Sequence, residues 1–168
     1  MVNSELRIVL VIHNVRSALN VGSLLRTAEG FAVNEVYITG YTPYPEAKDD
    51  QRLPHHRRRT ALQIHKTALG AEYLMNWHHQ PNIKQCLERL SQNGYMLVGL
   101  EQTPDALDLN KFNPKQDLAL IVGNEVTGLE KTVLKQMDQH LQIPMSGRKE
   151  SFNVAIAAGI ALYHLRQG

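Results

Sequence analysis

Residues 118–129 read Leu-Ala-Leu-Ile-Val-Gly-Asn-Glu-Val-Thr-Gly-Leu. The unbroken apolar run Leu118–Val122 has the length and composition of a strand covered on both faces. It leads straight into a polar loop held between Gly123 and Gly128. Glycines there permit backbone angles closed to other residues and let a ligand come close to the main chain. Their spacing is not that of the dinucleotide-binding Rossmann turn. An ordinary strand-to-helix turn accounts for the same residues, so the segment by itself fixes a buried strand and a tight loop but no ligand.

The flanking sequence repeats the pattern. Residues 7–13, 35–39, 95–100 and 141–145 read as further strands, and a short helix or turn near 67–74 leads into another. Helical spacing is expected over 18–31, with Val21, Leu25, Ala28 and Ala32 on one stripe. It is expected again over 81–92 through Ile83, Leu87 and Leu90, with Gly94 as the stop, and over 129–137 and 151–165. Residues 41–60 carry Pro43, Pro45, Pro54 and many charges and read as irregular. Strands separated by helices predict an α/β fold, a mainly parallel sheet with helices on both faces. No repeat, linker or low-complexity stretch divides the chain, so one domain spanning 1–168, with no appended RNA-binding domain, is the expectation. Ligands of such sheets gather beyond the carboxyl ends of the strands. The polar, glycine-bearing segments 13–22, 101–105, 123–128 and 146–153 fall there.

Composition narrows the classes. Hydrophobic residues are 43% and charged residues 20%, a globular balance, and the net charge of +2 leaves any nucleic-acid surface to be local. Cys86 is the only cysteine, which forbids an internal disulfide and suits a reducing, cytoplasmic setting. No Cys/His metal-ligand spacing occurs, so no metal is expected. The apolar run 8–12 is too short for an export signal, and no stretch approaches membrane-spanning length.

Two more segments carry chemistry. In Asn14-Val15-Arg16-Ser17-Ala18-Leu19-Asn20-Val21-Gly22-Ser23-Leu24-Leu25-Arg26, Asn20 and Gly22 lie near a helix start with Arg26 one turn beyond. Backbone N–H groups at such a start hold phosphate, aided by the helix dipole. An Asn cap followed by a solvated Arg fits equally. In Ile143-Pro144-Met145-Ser146-Gly147-Arg148-Lys149-Glu150-Ser151-Phe152-Asn153-Val154, a strand ends in a polar loop and Ser151 and Asn153 stand where a helix begins. Simple capping explains Ser151 but not Asn153 or Pro144-Met145.

Together the three segments resemble the signature motifs of the SpoU/TrmH branch of the SPOUT RNA methyltransferases: Asn20…Arg26, then Gly123-Asn124-Glu125…Gly128, then Ile143-Pro144-Met145…Ser151…Asn153-Val154. The likeness spans about 8–165. Phe152 stands where the family often carries Leu. The resemblance implies a C-terminal deep trefoil knot, against the general prior for protein chains. It also implies transfer of a methyl group from S-adenosylmethionine to a ribose 2′-hydroxyl of tRNA or rRNA, and a homodimer that builds its site across two chains. By that likeness the cofactor is cradled by Leu100, Glu101, Ile121, Val122, Gly123, Asn124 and Gly128. Ile143, Pro144, Met145, Ser151, Phe152 and Val154 complete the cradle. Catalysis falls to Arg26, with Asn20, Glu125, Ser151 and Asn153 orienting the ribose, Arg26 and the loops. A guanidinium with a pKa above ~12 is a poor base, so Arg26 is expected to fix phosphate and steady developing alkoxide charge. His13, His65, His78 and His79 are alternative bases on chemical grounds alone. The small residues Ala155, Ala158 and Gly159 with Leu162 suit close helix packing, within the chain or between copies.

Residues 52–66 hold the strongest local positive charge and no acidic residue. Arg16, Arg52, Arg57, Arg58, Arg59 and Lys66 are therefore candidate RNA contacts, with a plain solvated loop as the alternative. Two rival functions remain at this level. One is a non-enzymatic RNA-binding protein of the same fold. The other is a nucleotide-binding hydrolase, for which no carboxylate cluster or nucleophile-base pair is evident.

Overall fold

The computed structural model describes residues 6–167. The first half runs β1 (Ile8–His13), α1 (Ala18–Gly30), β2 (Glu35–Thr39), α2 (Pro54–Ala68), α3 (Ala71–Leu74), β3 (Trp77–His79) and α4 (Ile83–Gln92). The second runs β4 (Met96–Leu100), β5 (Leu107–Asp108), a 3-10 turn (Leu109–Lys111), β6 (Leu118–Val122), α5 (Lys131–Leu134), β7 (Gln139–Gln142) and α6 (Val154–Gln167). The strands form one seven-stranded sheet ordered β3-β2-β1-β6-β4-β7-β5. Every pairing is parallel. All carboxyl ends therefore share one edge, and the loops after β1, β4, β6 and β7 collect along it.

Burial explains the apolar runs. Ile8, Leu10 and Ile12 of β1 pack into a core with Val21 and Leu25 of α1 and Ala158 and Leu162 of α6. Their neighbours Val9 and Val11 face the opposite core with Leu87 and Leu90 of α4 and Val133 of α5. The two-residue side-chain period thus feeds both layers at once. Gly22 marks where α1 and α2 touch: a Cβ there would run into the Ile64 carbonyl and Thr67 hydroxyl oxygens. Arg166 ties α6 down, donating to the carbonyls of Leu6 (2.6 Å), Phe31 (2.8 Å) and Ala32 (2.6 Å).

Several boundaries depart from expectation. Residues 54–60, part of the stretch expected to be irregular, open α2, which runs on to Ala68. Pro54 opens it at a position where the missing N–H costs nothing. Only Ile64 and Ala68 are buried along it, a stripe too narrow for periodicity to register. The expected helix 129–137 shrinks to the single turn of α5. The last strand lies at 139–142 rather than 141–145, leaving Pro144, which has no N–H for a ladder, in the loop. The last helix begins at Val154, and its cap is Asn153 rather than Ser151: Asn153 Oδ1 accepts from the Ala155 N–H at 2.9 Å. Ala32 lies beyond the end of α1 at φ 50°, exposed and off the core stripe. The two-residue strand β5 had no sequence signal.

No helix among the described residues is long and apolar enough to cross a membrane. No group of three His, Cys, Asp or Glu side chains gathers in metal-binding reach there. Cys86 is buried, and burial pushes its thiol up to about 12, far from a reactive thiolate.

Candidate active site

The loop after β6 closes on itself. Asn124 and Gly128 exchange backbone hydrogen bonds of 3.0 and 3.2 Å. The Asn124 side chain, almost wholly buried, saturates its hydrogen bonding. Its Oδ1 accepts from the Val126 and Thr127 N–H groups at 2.8 and 2.9 Å. Its Nδ2 donates to the Asn14 carbonyl at 3.0 Å and to the Tyr41 hydroxyl at 2.9 Å. The two glycines are required by shape. Gly128 has φ +66°, and a Cβ on it would overlap the Glu101 carboxylate; one on Gly123 would lie 2.7 Å from the Gly128 carbonyl carbon. Glu101 Oε2 in turn accepts from the Leu129 N–H at 2.9 Å, tying the β4 loop to this turn.

Glu125 leaves the turn towards α1. Its carboxylate accepts from the backbone N–H groups of Arg16 (3.0 Å) and Ser17 (3.1 Å) and from Asn20 Nδ2 (2.9 Å). Burial pushes the Glu125 pKa up, but the hydrogen bonds from Arg16, Asn20 and Ser17 outweigh it and leave the carboxyl below its ordinary value. The start of α1 therefore already holds an anion, the protein's own carboxylate, and the phosphate reading of Asn20 and Gly22 is not kept. Asn20 Oδ1 accepts from Asn153 Nδ2 at 3.1 Å. Glu125, Asn20 and Asn153 thus form one chain linking the glycine loop, the start of α1 and the start of α6.

A cavity of about 300 Å3 opens between these loops at the carboxyl ends of β4, β6 and β7. Of the residues expected around a ligand, Leu100, Glu101, Val122, Gly123, Asn124 and Gly128 line it, as do Ile143, Ser151, Phe152 and Val154. Ile121, Pro144 and Met145 do not. Ile121 is one residue out of phase with Val122 and is buried in the opposite core; Pro144 and Met145 follow the end of β7. Gln142, Glu150 and Ala157 line the cavity without having been expected. Glu150 falls in the polar segment 146–153 already expected at this rim, while Gln142 and Ala157 carried no signal of their own. Three glutamates, Glu101, Glu125 and Glu150, and no Lys, Arg or His are among the residues lining the cavity.

Arg26, Asn20 and Asn153 lie outside this cavity. Arg26 is exposed on α1 and joins no ion pair among the described residues. None of the four alternative bases lines the cavity. His13 is held between Thr39 (2.9 Å) and Glu130 (2.9 Å), His65 lies 2.5 Å from Glu72, and His78 lies 3.0 Å from Glu35. His79 stacks on Tyr44, and burial, then the charge of Arg52, lowers its pKa.

The basic segment is divided by the fold. Arg52 pairs with Asp50, lies over the Tyr44 ring and donates to the Tyr44 and Pro45 carbonyls. Arg57 turns to Glu46 and the Asp50 carbonyl. Both are engaged with the 44–52 segment, which makes them weaker candidates for RNA contact than the remaining cations. Arg58, Arg59 and Lys66 on α2, and Arg16, are exposed. Of the two readings of the small-residue face, packing within the chain holds: Ala155, Ala158 and Leu162 are buried there, and Gly159 lies beside Thr27 of α1. The outer face of α6 is instead Ile156, Ile160 and Tyr163, with Phe152 before it, all exposed.

A model of the SpoU rRNA Methylase family matches residues 7–163. The chain is 26% identical over 155 residues to the tRNA (guanosine(18)-2′-O)-methyltransferase of Borreliella burgdorferi, covering 92% of this chain and 64% of that one. It is 28% identical over 162 residues to the 23S rRNA (guanosine-2′-O-)-methyltransferase of Acinetobacter baylyi, covering 96% and 60%. The AdoMet-bound rRNA methyltransferase structure from Sinorhizobium meliloti superimposes with a TM-score of 0.78 at 21% identity, over 96% of this chain and 56% of that one. The chain thus spans somewhat under two thirds of the length of the curated relatives it matches.

Proposed function

Since the chain belongs to the SpoU rRNA methylase family, we propose that it transfers a methyl group from S-adenosylmethionine to a ribose 2′-hydroxyl of tRNA or rRNA in the cytoplasm. What supports this reading most is the charge of the cavity. Three acidic residues and no Lys, Arg or His line it, Glu125 with its carboxylate turned to the start of α1. Such a site attracts a ligand with a sulfonium and an ammonium group and repels a nucleoside triphosphate, which disfavours the hydrolase reading. Its volume lies at the low end for small-molecule sites, and the overlap awaiting any Cβ at Gly123 or Gly128 keeps main chain at its wall.

When bound, S-adenosylmethionine supplies an electrophilic methyl on a positively charged sulfur. The chain's own groups supply position and charge. A guanidinium is a poor proton acceptor, so Arg26 serves by holding an RNA phosphate and stabilising negative charge on the attacking oxygen. Both ends of the Asn20 amide are committed, to Glu125 and Asn153. Asn20, Glu125 and Asn153 are accordingly positioning residues that lock the two helix starts to the cofactor loop. Ser151, on the cavity wall, is left to meet the ligand or the ribose.

A homodimer belongs to the same proposal. Arg26 does not line its own chain's cavity, and Phe152, Ile156, Ile160 and Tyr163 form an apolar stripe beside it that a second copy would cover. The knot is proposed likewise. β7 lies between β4 and β5, both earlier in the chain, and His164 of α6 donates to the Phe112 carbonyl at 2.8 Å.

The deciding experiment incubates the protein with methyl-labelled S-adenosylmethionine and tRNA or rRNA, then digests the RNA with alkali. A 2′-O-methyl group blocks alkaline cleavage, so label must survive in resistant dinucleotides. Label only in mononucleotides, or none with either RNA, sinks the proposal.

A further inference from the structure

A second cleft, of about 500 Å3, lies against the same turn and shares Asn124, Val126 and Thr127 with the cofactor cavity. Its remaining walls are Arg16, Tyr41 and Pro43. Tyr41 is 61% exposed, yet it is fixed at both ends. Its N–H donates to Asn14 Oδ1 at 3.1 Å, and its hydroxyl accepts from Asn124 Nδ2 at 2.9 Å. Asn14 itself is clamped by Glu130, at 2.6 Å from its Nδ2. A large aromatic ring left in solvent and held rigid needs little ordering when something flat settles on it. The guanidinium of Arg16 is exposed in the same cleft and joins no ion pair among the described residues.

Building on the proposed function, we infer that this cleft receives one unpaired RNA nucleotide flanking the methylated one, its base stacked on Tyr41 and its phosphate on Arg16. Every base has a π face, so a tyrosine platform reads single strandedness rather than sequence. A paired base offers no free face, and the substrate segment is therefore a loop or an end rather than a duplex. The shared turn puts this base next to the cofactor cavity, and Asn124 makes the platform and the cofactor loop one rigid unit.

Tyr41→Phe and Tyr41→Leu test this directly, because both lose the hydrogen bond to Asn124 and only Leu loses the ring. RNA affinity is measured with a single-stranded oligonucleotide carrying 2-aminopurine and with the same sequence as a duplex. Cofactor affinity is measured by calorimetry. Wild-type protein and Tyr41→Phe should quench 2-aminopurine and bind the single strand alike. Tyr41→Leu should bind it roughly 10-fold or more weakly without quenching. Arg16→Gln should weaken binding and flatten its salt dependence by about one unit. Equal binding by Tyr41→Leu and wild type overturns the inference. So does a Phe variant as weak as Leu, which would leave Tyr41 only its bond to the turn. A wild-type protein that methylates RNA but prefers the duplex overturns the stacking inference alone. One that binds cofactor and no RNA overturns the proposed function with it.

Discussion

The Glu125 carboxylate and the Asn20 amide, 105 positions apart in the chain, meet at 2.9 Å, and the same carboxylate takes the Arg16 and Ser17 N–H groups. A helix start usually left for solvent or a ligand is here occupied by the loop that walls the cavity at the carboxyl ends of β4, β6 and β7. The link is electrostatic as well as geometric, since a negative charge at a helix N-terminus is stabilising.

Glu125→Gln should loosen this link. The variant presents an NH2 group where the wild type accepts, so thermal stability and turnover should both fall. The folded pKa of Glu125 lies below its ordinary value. Its contribution is therefore present above the unfolded carboxylate pKa of about 4.3 and is lost as pH falls through the folded value. Melting temperatures between neutral and acid pH should drop more steeply in wild type than in Glu125→Gln. Parallel curves would show that the carboxylate adds nothing beyond shape.

Gly128→Ala and Gly128→Val should abolish or sharply weaken cofactor binding in a protein whose circular dichroism stays native. The added carbon overlaps the Glu101 carboxylate and forces a side chain into φ +66°. Unchanged affinity by calorimetry in the Val variant would remove the loop from the binding site.

Arg26→Ala should leave cofactor affinity intact and lower turnover by ~10²-fold or more, the scale for losing a charge stabiliser in the transition state. Arg26→Lys should recover little, since a point charge does not replace the planar guanidinium. Full activity in either variant would make Arg26 a surface residue.

Replacing Arg58, Arg59 and Lys66 together by Gln should reduce the salt slope of log K for RNA by about 2 to 3. Arg57→Gln should act differently, lowering thermal stability through the 44–52 segment while leaving the slope alone. A slope unchanged by the triple replacement would return α2 to a solvated helix.

Ile156→Glu with Ile160→Glu should yield monomers by light scattering and lose methyl transfer while keeping the fold. Neither side chain is needed in the core, as both are exposed on α6. A double variant that remains dimeric would place the interface elsewhere.

The sequence by itself determined the strands β1, β2, β4 and β6 to within a residue, because a run buried on both faces is apolar at most positions and needs no period to be seen. It also marked the glycine loop, since Gly123 and Gly128 are residue types chosen by turns and close approach, but it misplaced both caps, which are Ser17 rather than Asn20 and Asn153 rather than Ser151. It could not show α2, where two buried residues in fifteen leave no stripe, nor that Arg52 and Arg57 spend their charge on Asp50 and Glu46. Tertiary structure alone decided that Glu125, rather than a phosphate, fills the start of α1. It also decided that Tyr41 is held at both ends beside the 123–128 turn. A side chain's partner is set by whatever lies opposite across the sheet edge, and contacts bridging 80 to 130 positions leave no spacing in the chain to read.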